Sequence, residues 1–87
     1  MTQEARWLLD WFGQRGSIPG DTQEEQLRVN YFDTKLIDSL GVIELLVQIE
    51  EYFSIQFSER HFQDRRFSTL EGLSEIIAEL RRNSSQP

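Results

Sequence analysis

The 87-residue chain contains no cysteine, one histidine and one methionine. Without cysteine there is no disulfide to staple a small domain, no thiolate to grip zinc and no thiol nucleophile. Any thiol chemistry must be borrowed from a cofactor. His61 alone cannot build a zinc site, and no partner residues flank it in the pattern of a triad. Positive charge is also scarce, with nine Lys and Arg against fifteen Asp and Glu and a net charge of -6. Such a field repels polyphosphate and anionic lipid and draws in basic surfaces, so nucleic acid is not an expected partner. Long apolar runs are absent too. No stretch reaches the roughly 18 apolar residues of a membrane span, and residues 1–6 lack the basic and apolar regions of a leader. The expectation is a soluble cytoplasmic protein that inserts in no membrane.

What is present suffices for one modest core. Hydrophobic residues make up 38% of the chain and include two Trp and six Phe, so a single domain over 1–82 is expected, followed by a mobile polar tail over 83–87. Trp7, Leu8, Trp11 and Phe12 recur at helical spacing behind a capping Thr2, predicting a first helix over about residues 3–14. Gly16, Pro19 and Gly20 then break the pattern and open a loop of about 20 residues. Asp21-Thr22-Gln23-Glu24 offers a capping box for one turn inside it, and Leu27, Val29, Tyr31, Phe32, Leu36 and Ile37 serve as scattered anchors.

The clearest pattern lies between Leu40 and Phe53, where only Gly41, Glu44, Gln48 and the glutamates 50 and 51 interrupt the apolar residues. Gly41, Glu44, Gln48 and Glu51 fall on one stripe, so the expected helix is central, enclosed by neighbours and wet along that strip. Ser58 caps a short turn through about Arg65, carrying a basic patch of Arg60, Arg65 and Arg66 around His61 and Phe62. Ser68-Thr69-Leu70-Glu71 then reads as a capping box before Leu70, Leu73, Ile76, Ile77 and Leu80, a final helix ending near Arg82.

Asp38-Ser39-Leu40 sits where the long loop meets the central helix, with Asp38 placed to accept from the first free amides. An anion on the Ser39 hydroxyl would meet the positive end of the helix dipole. On the tripeptide alone this is a helix start and nothing more. In its full setting, Leu36-Ile37-Asp38-Ser39-Leu40-Gly41-Val42-Ile43-Glu44-Leu45-Leu46 resembles the motif of the acyl carrier protein family, and Ile49-Glu50-Glu51-Tyr52-Phe53 resembles its acidic helix end.

The resemblance implies an all-α four-helix bundle, with three long helices, one short helix and a long first loop. It implies that Ser39 receives 4'-phosphopantetheine from coenzyme A, with Asp38 and Leu40 at the attachment site, and that the chain is not an enzyme. Leu40, Ile43 and Val47 would then line a docking face, with Glu44, Glu50 and Glu51 meeting basic residues of partners. For Ile43 and Val47, plain core packing stands equally open on the residues alone. The partners implied are a phosphopantetheinyl transferase, an adenylating ligase for an acyl or aminoacyl group, and downstream synthases or acyltransferases. A monomer is expected, and the short termini favour a free-standing carrier over a module cut from a synthase. Gly41 departs from carriers of primary fatty acid synthesis, many of which are acidic there. With the stretch from His61 to Thr69, it is similar to D-alanyl-type and other specialised carriers. The rival from another class is a helical adaptor that lacks the arm and binds through the same acidic stripe.

Overall fold

A computed structural model describes residues 1–84, and these form helices joined by turns, with no strand among the described residues. Three helices are long: α1 (Gln3–Arg15), α3 (Ser39–Phe53) and α5 (Leu70–Ser84). Two are short, α2 (Gln23–Leu27) and α4 (Glu59–Phe62), and a 3₁₀ turn spans Arg65–Ser68. The expected architecture is present, with two short helices where one was expected.

Helix α1 starts where Thr2 Oγ1 accepts from the Ala5 amide at 3.1 Å, which satisfies one of the donors a helix leaves unpaired. It buries Leu8, Leu9, Trp11 and Phe12 and packs along α5, which contributes Leu70, Leu73, Ile76 and Ile77. Tyr31 pins the long loop to that core. Its ring is fully buried 5.3 Å from Phe12, its hydroxyl donates to the Phe67 carbonyl, and its amide donates to Ser68 O at 3.1 Å. Burial pushes the Tyr31 phenol well above its ordinary range.

Several local expectations shift in register. The single turn in the loop is capped by Thr22 rather than Asp21: Thr22 Oγ1 accepts from Glu25 N, and the Glu25 carboxylate reaches back to Asp21 N at 2.7 Å. Helix α5 is capped by Thr69, whose hydroxyl accepts from Gly72 N at 3.0 Å, because Ser68 is already the last residue of the 3₁₀ turn and donates to Arg65 O. The turn capped by Ser58 closes at Phe62, and Asp64 starts the 3₁₀ turn by accepting from Arg66 N at 2.9 Å. Helix α5 runs to Ser84, two residues beyond its expected end, so Asn83 and Ser84 are helical. The rest of the expected tail, 85–87, lies outside the described residues.

Arg66 is not part of an open basic patch. Its guanidinium is bound to Asp64 and to Glu79 of α5, and it holds both carboxyls below the usual carboxylate range. This pairing ties the 3₁₀ turn to α5 at a close approach that only glycine permits. A Cβ on Gly72 would lie 2.1 Å from the Arg66 carbonyl oxygen.

Candidate functional site at the start of helix α3

Ser39 is the first residue of α3, and Asp38 caps it, with Oδ1 accepting from Gly41 N at 2.8 Å. Asp38, Ser39 and Leu40 are all exposed. Ser39 is therefore an exposed residue at a helix end where backbone N–H groups and the dipole favour an anion. Next to it lies an open depression of about 470 Å³, lined by Gln14 and Arg15 of α1, Leu36 and Ile37 of the loop, and Asp38, Leu40, Gly41 and Glu44. It offers aliphatic walls and a charged rim.

The rest of α3 departs from the enclosed helix expected of it. It buries Leu45, Ile49 and Phe53, a single row at four-residue spacing. Leu40, Ile43 and Val47 are instead exposed, at 76%, 59% and 47%. Conversely Gln48, placed by the sequence on the wet stripe, is half-buried and accepts from Trp11 Nε1 at 2.7 Å. Tryptophan inside a core needs a partner for its one donor, and Gln48 is drawn inward to supply it.

The three glutamates differ in what they are free to do. Glu51 is exposed. Glu50 is half-buried, and its carboxylate accepts from Phe57 N at 2.9 Å, which commits it to holding the connection after α3. Glu44 is exposed but paired: Arg15 reaches it at 2.9 Å, and Gln48 Nε2 donates to the same oxygen at 3.1 Å. Gly41 also has a local steric reason. An added Cβ would come within 3.1 Å of Ile37 Cβ and 3.3 Å of the Asp38 carboxylate, so a side chain there would press on the cap.

His61 stands in α4, where its Nδ1 accepts from Ser58 N at 2.9 Å. Its geometry is that of a capping box, and the Asp38 carboxylate is engaged with its own helix. Nothing in these contacts assembles a nucleophile, a base and an orienting acid.

The family described as "Phosphopantetheine attachment site" matches residues 18–80, well over half of the 87-residue chain, and the matched span contains Ser39 with the whole of α3. The chain belongs to that family. It is a phosphopantetheine-carrying protein and not an enzyme, since members of the family hold the group covalently on a serine and carry rather than catalyse. No curated protein and no solved structure matched the carrier. Among the described residues, no helix of the carrier is long and apolar enough to cross a membrane.

Two residues at and beside the carrier's site were beyond sequence reasoning. Arg15 and Gln48 act across the α1–α3 seam, and no local pattern joins residues so far apart in the chain.

Proposed function

We propose that Ser39 is the attachment point of 4'-phosphopantetheine and that the carrier takes an acyl or aminoacyl group from enzyme to enzyme. The observation that carries this reading is the exposed serine at the first residue of a long helix, inside the span matched by the family. In loading, the Ser39 hydroxyl would displace adenosine bisphosphate from coenzyme A: a phosphodiester forms, the pyrophosphate link breaks, and the hydroxyl proton passes to a base of the transferase. When bound, the group supplies a thiol on a flexible arm, which carries its cargo as a thioester. That is the chemistry a chain without cysteine cannot provide for itself.

The chain's own residues do the rest. Asp38 fixes the helix start and offers a carboxylate beside the hydroxyl for the transferase to use. Leu40, Ile43 and Val47 present an apolar strip, with Glu51 exposed beside it and Glu44 exposed but paired with Arg15. A small apolar patch with acidic borders suits docking that is weak, salt-sensitive and repeatedly reversed, as a carrier requires. The partners in this reading are the transferase, an adenylating ligase and a downstream synthase or acyltransferase, met by a monomeric carrier in the cytoplasm. The D-alanyl-type assignment rests on Gly41 and the 61–69 stretch; charging by a D-alanine ligase and not by a fatty acid ligase would support it.

Intact mass after incubation with coenzyme A and a broad-specificity transferase tests the site. Wild type should gain one phosphopantetheine and Ser39→Ala none. A folded wild type that gains nothing would leave the adaptor reading in its place.

A further inference from the structure

The side chains between α1 and α3 form a ladder at four-residue steps. Trp7 meets Tyr52 with ring centroids 5.6 Å apart, Trp11 bonds Gln48 at 2.7 Å, and Arg15 pairs with Glu44 at 2.9 Å. The last two rungs are linked into a closed ring. The Arg15 guanidinium lies 3.9 Å above the Trp11 ring, Trp11 donates to Gln48, and Gln48 donates to the Glu44 oxygen that also receives Arg15. Arg15 is thus held twice, by charge and by stacking on the indole face. Both members of the ion pair remain partly exposed, at 37% and 52% of their side-chain surface.

We infer that Arg15 is an internal competitor for Glu44, occupying in the free carrier the charge that a basic partner must take. This inference rests on the reading of Ser39 as the attachment point and adds a residue that sets how tightly the transferase docks. Glu44 stands one helical turn beyond the residues next to Ser39 and lines the same depression as Arg15, Asp38 and Leu40. A cation approaching Ser39 therefore meets an acid that is already neutralised, and binding through Glu44 requires Arg15 to turn away. Trp11 gives it somewhere to stay, since the stacked guanidinium can leave the carboxylate without leaving the indole. The result is docking weaker than the acidic surface suggests, which favours release after each transfer. An exposed ion pair sets the size of the effect: about 0.4–1 kcal/mol, or a two- to five-fold change in affinity.

The test is the rate of Ser39 modification as a function of carrier concentration, at low ionic strength, for wild type, Arg15→Gln, Glu44→Gln, the double variant and Ser39→Ala. Arg15→Gln keeps a stem to lie on Trp11; Arg15→Ala serves as a second variant, and thermal melts establish that each is folded. Removing the Arg15 charge should lower KM two- to five-fold with kcat unchanged, and the gain should fade as salt rises. Glu44→Gln should raise KM, and in that background Arg15→Gln should have no effect. Arg6→Gln makes the same charge change at an exposed position earlier on α1 and should leave KM near wild type. An unchanged or higher KM in both Arg15 variants overturns the proposal. So does an equal gain in the Glu44→Gln background, or an equal gain from Arg6→Gln, since either would show a general charge effect. If Ser39→Ala is still modified, or wild type is not, the site reading falls and this proposal with it. Normal modification confined to Ser39 leaves the KM results to judge Arg15 alone.

Discussion

In the proposed reading Asp38 has two separable tasks, as helix cap and as a carboxylate that the transferase uses, and its geometry lets them be measured apart. Its carboxylate accepts from Gly41 N at 2.8 Å in an exposed position, so Asp38→Ala removes an N-cap worth about 1 kcal/mol. In a domain of this size that lowers Tm by about 4–8 °C. If the domain is stable by about 5 kcal/mol, such a loss still leaves more than about 99% of molecules folded at 25 °C. Unfolding therefore changes the modification rate by less than about one part in a hundred, and any larger fall reports on the transferase complex. Losing a charged group that the transferase uses, at about 1.5–3 kcal/mol for a charge-assisted bond, corresponds to a ten-fold or greater fall in rate. Asp38→Asn sharpens the comparison, because asparagine caps about as well as aspartate while losing the charge. Circular-dichroism melts and initial rates by intact mass should show Asp38→Ala destabilised and slow, and Asp38→Asn nearly as stable as wild type but also slow. Wild-type modification by folded Asp38→Ala would refute the reasoning. Full rescue by asparagine would reduce Asp38 to a cap alone.

Three further outcomes follow from the packing. Gly72→Ala places a Cβ 2.1 Å from the Arg66 oxygen, so the 3₁₀ turn must withdraw from α5. Overpacking of about 1–3 kcal/mol or more outweighs the gain in helix propensity, and Tm should fall by roughly 10 °C; a rise would show that the approach is not so close. Tyr31→Phe leaves the Phe67 carbonyl without its donor inside the core, which should cost about 1–3 kcal/mol in a chemical melt while Ser39 is still modified. Arg66 depresses the folded-state pKa of Asp64 and Glu79, so its stabilisation is present at neutral pH and lost as acid protonates them. Tm measured from about pH 5 down to about pH 2, through and below the ordinary carboxylate range, should fall more steeply in wild type than in Arg66→Met.

The three long helices were legible because each repeats apolar residues at helical spacing behind a capping side chain, Thr2 and Asp38 being the plainest. Cap register was less so. Ser68 and Thr69 can both cap, and Glu71 three residues after Ser68 favours the wrong one; only the 3₁₀ turn, which consumes Ser68, decides for Thr69. The expectation that α3 is enclosed failed for a deeper reason, whereas the open face that the resemblance implied for Leu40, Ile43 and Val47 agrees with their exposure. Periodicity records where apolar residues lie, not whether a neighbour from the same chain covers them. Leu40, Ile43 and Val47 give the same pattern whether they are packed or left open, and Gln48 gives a polar signal although an indole pulls it inward. The start of α3 at Asp38 and Ser39 was legible, since capping is a local property.

Leaving three aliphatics in water means that α3 must be held by its other side. Burying such side chains contributes about 1.5–3 kcal/mol each, and α3 forgoes that gain at Leu40, Ile43 and Val47. Its attachment comes instead from the buried row Leu45, Ile49 and Phe53 and from the seam to α1, where Trp7 lies 5.7 Å from Phe53 and Trp11 bonds Gln48. The two faces should therefore separate in mutation. Ile43→Ser or Val47→Ser removes little that is packed and should move stability by no more than about 0.5 kcal/mol, while weakening transfer by partner enzymes. Trp11→Ala empties a buried site, leaves Gln48 without its donor, and should cost about 3–5 kcal/mol, enough to threaten the fold at 37 °C. Urea titration of the three variants decides the matter. A large loss at Ile43 or Val47 would mean that those side chains are buried in solution, and the open face of α3 would then be core rather than a docking surface.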